Sequence, residues 1–122
     1  MRSVLINNKT RPLSEPLRIG VCDTFFYRLR GFMFRSGVPM DNGLLIVQDG
    51  ESRVDAAIHM FFVNFDLAVV WINHKNEVVD TCLARRWRPF YMPSHKAKMI
   101  LEIHPDRLQE FHAGDCLSIE NG

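Results

Sequence analysis

The sequence is poor in most of the features that announce a function. Its three cysteines, Cys22, Cys82 and Cys116, are odd in number and far apart. No pair has the close spacing of a zinc ligand set, and an odd count excludes a fully paired disulfide framework. They read as reduced, buried small hydrophobes of a cytoplasmic protein. The five histidines, at 59, 74, 95, 104 and 112, form no paired motif on one element. His112 and Cys116 flank a Gly-Asp turn, but two ligands do not make a metal site, so neither metal nor cofactor is expected. There is no Gly-x-Ser-x-Gly elbow and no phosphate-cradling glycine loop. Charge of one sign is also lacking. Lys and Arg total 15 against 14 Asp and Glu, for a net charge of +1, which by itself predicts neither a nucleic-acid nor a membrane partner. No apolar run reaches the roughly 20 residues of a membrane span. Met1-Arg2-Ser3 and the short triplet Val4-Leu5-Ile6 do not make a secretory leader. Repeats and low-complexity segments are absent.

What remains is a chain of 122 residues, 47% hydrophobic, enough for one domain over 1–122 with a core of its own. Its longest run with little charge is Ile58 to Ile72, interrupted only by His59, Asn64 and Asp66. Phe, Val, Ile and Trp dominate it, which favours strand over helix. About fifteen residues is long for one strand, so the spacing predicts strands over about 57–63 and 67–73 with a break at Asn64–Asp66. The polar tetrapeptide Asn73-His74-Lys75-Asn76 and the segment Glu77 to Leu83 complete the best hairpin signal in the chain.

Shorter strands are read at Val4–Ile6, Leu17–Cys22, Leu44–Val47, Ala97–Ile103 and Cys116–Ile119, the first two as a hairpin. Asp49 to Ser52 reads as a turn, and two prolines keep Arg85–Pro93 out of a central strand. Asp23-Thr24 can cap a helix, and Phe25, Leu29, Phe32 and Met33 fall on one helical face. This gives one main α-helix over about 24–34, weakened at Gly31 by about 1 kcal/mol. A short helix is expected over about 105–111, with Pro105 in its first turn. No strand–helix alternation suggests a parallel sheet. The expected fold is mainly β, an antiparallel β-sandwich or small barrel carrying these two helices.

Several motifs together carry a family resemblance. Val21-Cys22-Asp23-Thr24 followed by Arg30-Gly31-Phe32-Met33-Phe34-Arg35 resembles a strand, an Ala-Asp-Thr-like stretch and Arg-Gly-Leu-Met-Phe-Arg. Gly43-Leu44-Leu45-Ile46-Val47 is similar to Gly-Met-Leu-Phe-Val, and Ile58-His59-Met60-Phe61-Phe62 to Ile-His-Thr-Phe-Phe. Leu101-Glu102-Ile103 and Gly114-Asp115 match C-terminal signals. The pattern resembles the prokaryotic family known as domain of unknown function 192, from about Leu17 to Ile119. One departure is visible: Asp66-Leu67-Ala68 stands where the family usually has Pro-Ile-Asp or Pro-Leu-Asp. The resemblance implies a compact, mainly β fold and no activity.

Three functional readings follow, and no reaction is assigned. The first is a small-molecule binding module for an anionic ligand. A pocket at the helix–sheet junction gathering Arg30, Arg35 and His59, with Trp87 near by, would suit a carboxylate or phosphate. The plainer reading is solvated arginines and a satisfied core or edge histidine. Arg30 and Arg35 also point apart on a helix unless it ends near Gly31. The second reading is a nucleic-acid or polyanion contact through 85–98, where Arg85, Arg86, Arg88, Lys96 and Lys98 interleave with Trp87, Phe90 and Tyr91. The balanced net charge speaks against it, and the plainer reading folds these aromatics onto the core. The third is a structural or protein-interaction domain, since Trp, Tyr and Arg also favour interfaces. Asn64 and Asp66 read as turn formers.

Overall fold

The computed structural model describes residues 2–24, 28, 31–33 and 35–121. Seven strands form one sheet: β1 (Ser3–Asn8), β2 (Leu17–Cys22), β3 (Asn42–Ser52), β4 (Leu67–Ile72), β5 (Val78–Ala84), β6 (Ala97–Ile103) and β7 (Leu117–Asn121). Their spatial order is β5-β4-β6-β3-β2-β1-β7. The sheet curls until its two edges nearly meet. Val78 N–H donates to the Asp115 carbonyl at 2.8 Å, and Leu117 N–H to that of Asn76 at 2.8 Å. The result is a half-barrel, mainly β as the strand patterns predicted. No described helix is long and apolar enough to cross a membrane.

Side-chain alternation divides the apolar residues between two faces. Leu45 of β3, Val70 of β4 and Leu101 of β6 point to the concave core, together with Ile6, Leu17 and Ile19. Leu44, Ile46, Val69, Trp71 and Ile100 point to the convex face. That outer face is covered by two crossing segments. Phe32 and Val38 lie on the connection from β2 to β3, and Ala56, Ile58, Met60 and Val63 on the connection from β3 to β4. Cover on both faces explains why β4 reads as an unbroken apolar run. The Trp71 indole N–H donates to the Ala56 carbonyl at 2.8 Å and ties the second cover down.

Several sequence expectations hold. β1 and β2 pair as an antiparallel hairpin, and β4 and β5 form the predicted central hairpin. Its turn is stabilised by the Asn73 side chain, which accepts from Lys75 N–H and Glu77 N–H, with Asn76 at φ 63°. The expected C-terminal helix is a 3-10 helix over Pro105–Glu110. The main helix predicted over 24–34 falls largely outside the described residues. Within it Arg28 is helical, its N–H bonded to the Thr24 carbonyl at 2.9 Å, and Gly31 to Met33 form a turn.

Four expectations are corrected. No strand forms over 57–63: only Ile58 bridges, to Tyr91, and the chain turns at Phe61 and Phe62, the latter at φ 63°. Those residues are apolar because Ile58, Met60 and Val63 cap the convex face, not because a strand is buried there. The turn expected at 49–52 is strand, since β3 continues to Ser52 through a register shift against β6. One strand pair, β2 with β3, is parallel, because the connection between them crosses the convex face instead of turning back. Cys116 is exposed, its backbone N–H held by the Thr10 hydroxyl at 2.9 Å.

Arg107 is buried and joins distant segments, donating to the Met40 and Glu15 carbonyls at 2.8 Å each while pairing with Glu110. At Gly43, opposite Ile103, β3 lies close against the backbone of β6. A methyl group there would meet the Glu102 carbonyl oxygen and come within 2.8 Å of Ile103 Cγ2. Gly43→Ala is therefore expected to cost more than about 2 kcal/mol in denaturant unfolding. Gly50→Ala, at a position in the same strand with nothing within 4 Å, should stay within about 0.5 kcal/mol.

Candidate functional site

Between the convex face and its covers lies a cavity of about 320 Å³. Apolar walls come from Phe32, Met33, Ile46, Ile58, Val63 and Ile100, and polar groups from Arg28, Gln48, Asp49, Asp55, His59 and Glu102. Each is placed by local structure. Ile46 and Gln48 alternate outward on β3, as Ile100 and Glu102 do on β6. His59 lies between the buried Ile58 and Met60, is itself exposed at the edge of the cavity, and its Nδ1 accepts from Phe61 N–H at 3.2 Å. That bond leaves Nε2 to carry the proton of the neutral ring.

Glu102 is the unusual member. It is 5% exposed and lies opposite Leu44 of β3 and Val69 of β4, both buried. Gly31 passes over it at φ +48°, so that a methyl group on Gly31 would stand 3.6 Å from Glu102 Oε1. Among the described residues no group donates a hydrogen bond to this carboxyl and no cation offsets its charge. Burial alone pushes its pKa up to about 7. The nearest described guanidinium of the lining, that of Arg28, donates to the Val47 carbonyl at 3.1 Å and pairs with Asp49 at 3.4 Å.

The described lining contains no hydroxyl or thiol. Cys22 lies on the neighbouring strand, but burial, followed by the charge of Glu102, pushes its thiol up to about 11. Burial and then Asp80 push Cys82 up to about 12. Neither supplies a thiolate at neutral pH. The arrangement suits binding better than nucleophilic chemistry.

Of the residues singled out from sequence, His59 lines the cavity. Arg35 is exposed outside the lining, its guanidinium 5.7 Å from the Phe32 ring centroid. Arg30 lies outside the described residues. Trp87 belongs to a separate surface. It is 48% exposed, at φ 64°, with its ring edge-on to Phe62 at 5.2 Å and its indole N–H donating to Asn64 Oδ1 at 3.0 Å. Asp66 anchors the same loop by accepting from Arg86 N–H and Nε. Asn64 and Asp66 thus tie down the Arg86–Trp87 loop, whereas the turn expected of them falls at Phe61 and Phe62; Ala68 is buried in the concave core.

Sequence reasoning missed Glu102. The available signal was an acid inside Met99-Ile100-Leu101-Glu102-Ile103, a stretch of β6 otherwise apolar in every position.

The raised carboxyl has a consequence for stability. The native state holds the Glu102 proton at pH values where the unfolded chain has released it. The stability from this group is therefore full below the ordinary glutamate range and is lost as pH rises through about 7. Glu102→Gln is expected to gain up to about 3 kcal/mol over wild type at pH 8, with the difference gone near pH 4, in parallel denaturant titrations.

The chain matches the family described as Uncharacterized ACR, DUF192, over residues 5–119. It is 35% identical over 116 residues to a UPF0127 protein of Thermococcus gammatolerans, covering 93% of this chain and 74% of that one. It is 39% identical over 98 residues to a UPF0127 protein of Thermococcus sibiricus, covering 80% of this chain but only 62% of the relative. A crystal structure from Sinorhizobium meliloti, provisionally named a transcription regulator, superposes with a TM-score of 0.82 at 15% identity, covering 97% of this chain and 92% of that one. At that identity the likeness shows the fold alone. The match over nearly the whole sequence and the archaeal identities lead to one conclusion: the chain belongs to the uncharacterised DUF192/UPF0127 family.

Proposed function

We propose that this protein is a small-molecule binding module whose site is the cavity over Glu102. The observation that carries the reading is the buried carboxyl that opens into a cavity and has no described partner. A carboxyl held among apolar neighbours and open to the cavity is the polar contact that an entering molecule would meet there. An apolar cavity with a few convergent polar groups is the usual form of a ligand site. The volume suits a small metabolite. An anionic group on the ligand would meet Arg28 and the His59 ring at the rim, with Arg35 on the same connection outside the lining. The three free cysteines support a reducing, cytoplasmic setting.

The second reading is a polyanion contact at the Trp87 loop. It is favoured by one observation, the half-exposed indole among the exposed Arg85, Arg86 and Arg88. The provisional name of the Sinorhizobium neighbour is in keeping with it, but Arg86 already pairs with Asp66 at 3.2 Å. A protein-interaction role for the same patch is the third reading.

A thermal-shift screen over anionic metabolites, nucleotides, sugars and short oligonucleotides separates these readings. A ligand at 100 times its Kd adds about 2.7 kcal/mol of stability. A hit is expected that disappears in Ala57→Phe, which fills the cavity, and survives in Trp87→Ala. Salt-sensitive hits confined to oligonucleotides, lost in Trp87→Ala and kept in Ala57→Phe, would overturn the cavity reading in favour of the loop.

A further inference from the structure

We infer that the ligand of this cavity carries a cationic nitrogen, such as a primary amine, seated against Glu102. The inference rests on the cavity reading above and adds the chemistry of the ligand's inner end.

The argument is one of pairing. A carboxyl among Leu44, Val69 and Ile100 is costly to ionise without a partner, by several kcal/mol. The described lining supplies none, because the Arg28 guanidinium is engaged with the Val47 carbonyl and Asp49. The groups facing the cavity from the packed elements are few. Asp49 comes from β3, Arg28 from the first cover, and Asp55 and His59 from the second, while Cys22 of β2 lies outside the lining, where it feels the charges of both Glu102 and Arg35. Among the described residues of the lining, three carboxyls, those of Asp49, Asp55 and Glu102, stand beside one guanidinium, that of Arg28. An anion at the cavity floor would meet an ionised Glu102 or require it to stay protonated. A neutral ligand leaves the carboxyl neutral and gains a single hydrogen bond. A cation alone lets Glu102 ionise into a charge-assisted pair, and such bonds are about twice as strong as neutral ones. An acidic group elsewhere on the same molecule would remain free to reach Arg28 at the rim. A ligand bearing both groups, amine inward and acid outward, satisfies the whole lining.

The test uses three probes of equal carbon count: n-butylamine, n-butanol and butyrate. Each is titrated into 15N-labelled protein at pH 6 and pH 8 while the amide signals of Gly31, Ala57 and His59 are followed. Butylamine stays protonated across this range. It is expected to move these signals and to bind about tenfold more tightly at pH 8, as the ionised share of Glu102 rises about tenfold. Glu102→Gln should remove that pH dependence and weaken the amine about tenfold at pH 8 while leaving butanol unchanged. His59→Gln, which removes the imidazole of the lining, should keep the pH dependence. Binding of butyrate or butanol as tight as that of the amine, or an amine affinity indifferent to pH and to Glu102→Gln, would overturn the inference and leave the cavity standing. No movement of these signals with any probe would overturn both.

Discussion

Everything in this fold depends on β6 being paired on both edges and buried on both faces. β3 and β4 bond its two sides, and their registers bring Gly43 and Ala68 both opposite Ile103. Parallel and antiparallel pairing meet in the same sheet because the connection from β2 to β3 crosses the convex face, and β6 then enters between β3 and β4, strands already laid down. Its concave residues, Leu101 and Ile103, are shared with β1, β2 and β7 through one core. Its convex residues belong to a second core that exists only because two connections fold over the sheet. A sheet of this length with one solvated face would carry polar residues there; this one carries Leu44, Ile46, Val69, Trp71 and Ile100, so the covers are structural necessities.

The cavity is a by-product of that construction. The covers are connections rather than regular elements, and they are fastened at separate points: Trp71 to the Ala56 carbonyl, Arg28 to that of Val47, and Met60 to the Arg85–Tyr91 loop through its N–H and carbonyl. Space left between fastenings is where Glu102 opens. Strain gathers on the same side of the molecule. Phe62 and Trp87 both hold positive φ, which costs bulky residues on the order of 1 kcal/mol or more each, and both rings are left partly exposed. Loop positions that are held in such conformations against a rigid scaffold are where binding surfaces are commonly built.

The fold was legible from the sequence wherever alternation or turn chemistry carried it. Asn73 to Asn76 marked the central hairpin, and Pro105 marked the start of the short helix. It was illegible where an apolar run had a second explanation. Ile58 to Val63 is hydrophobic because it caps a sheet face, and periodicity alone does not separate a cap from a strand. The parallel β2–β3 pair was hidden because one helical pattern between two strands, at 24–34, does not by itself say whether the chain crosses the sheet or turns back. At the site, His59 was found as a polar interruption in an apolar run. Glu102 is the same kind of interruption, a buried charge in a largely apolar strand, but it was absorbed into a motif match. Arg35 drew notice by its motif, yet its place beyond the cavity depends on where the first cover ends, which no local pattern encodes.

The measurement that bears most directly on the buried carboxyl under the cavity is a 13C NMR titration of the Glu102 side-chain carboxyl in the intact protein, assigned by comparison with Glu102→Gln. A midpoint near 7 is expected, set by burial against Leu44 and Val69. A midpoint near the ordinary glutamate value of about 4.5 would show that a cation or hydrogen-bond donor already satisfies Glu102, and would contradict its assignment as the open anchor of the cavity.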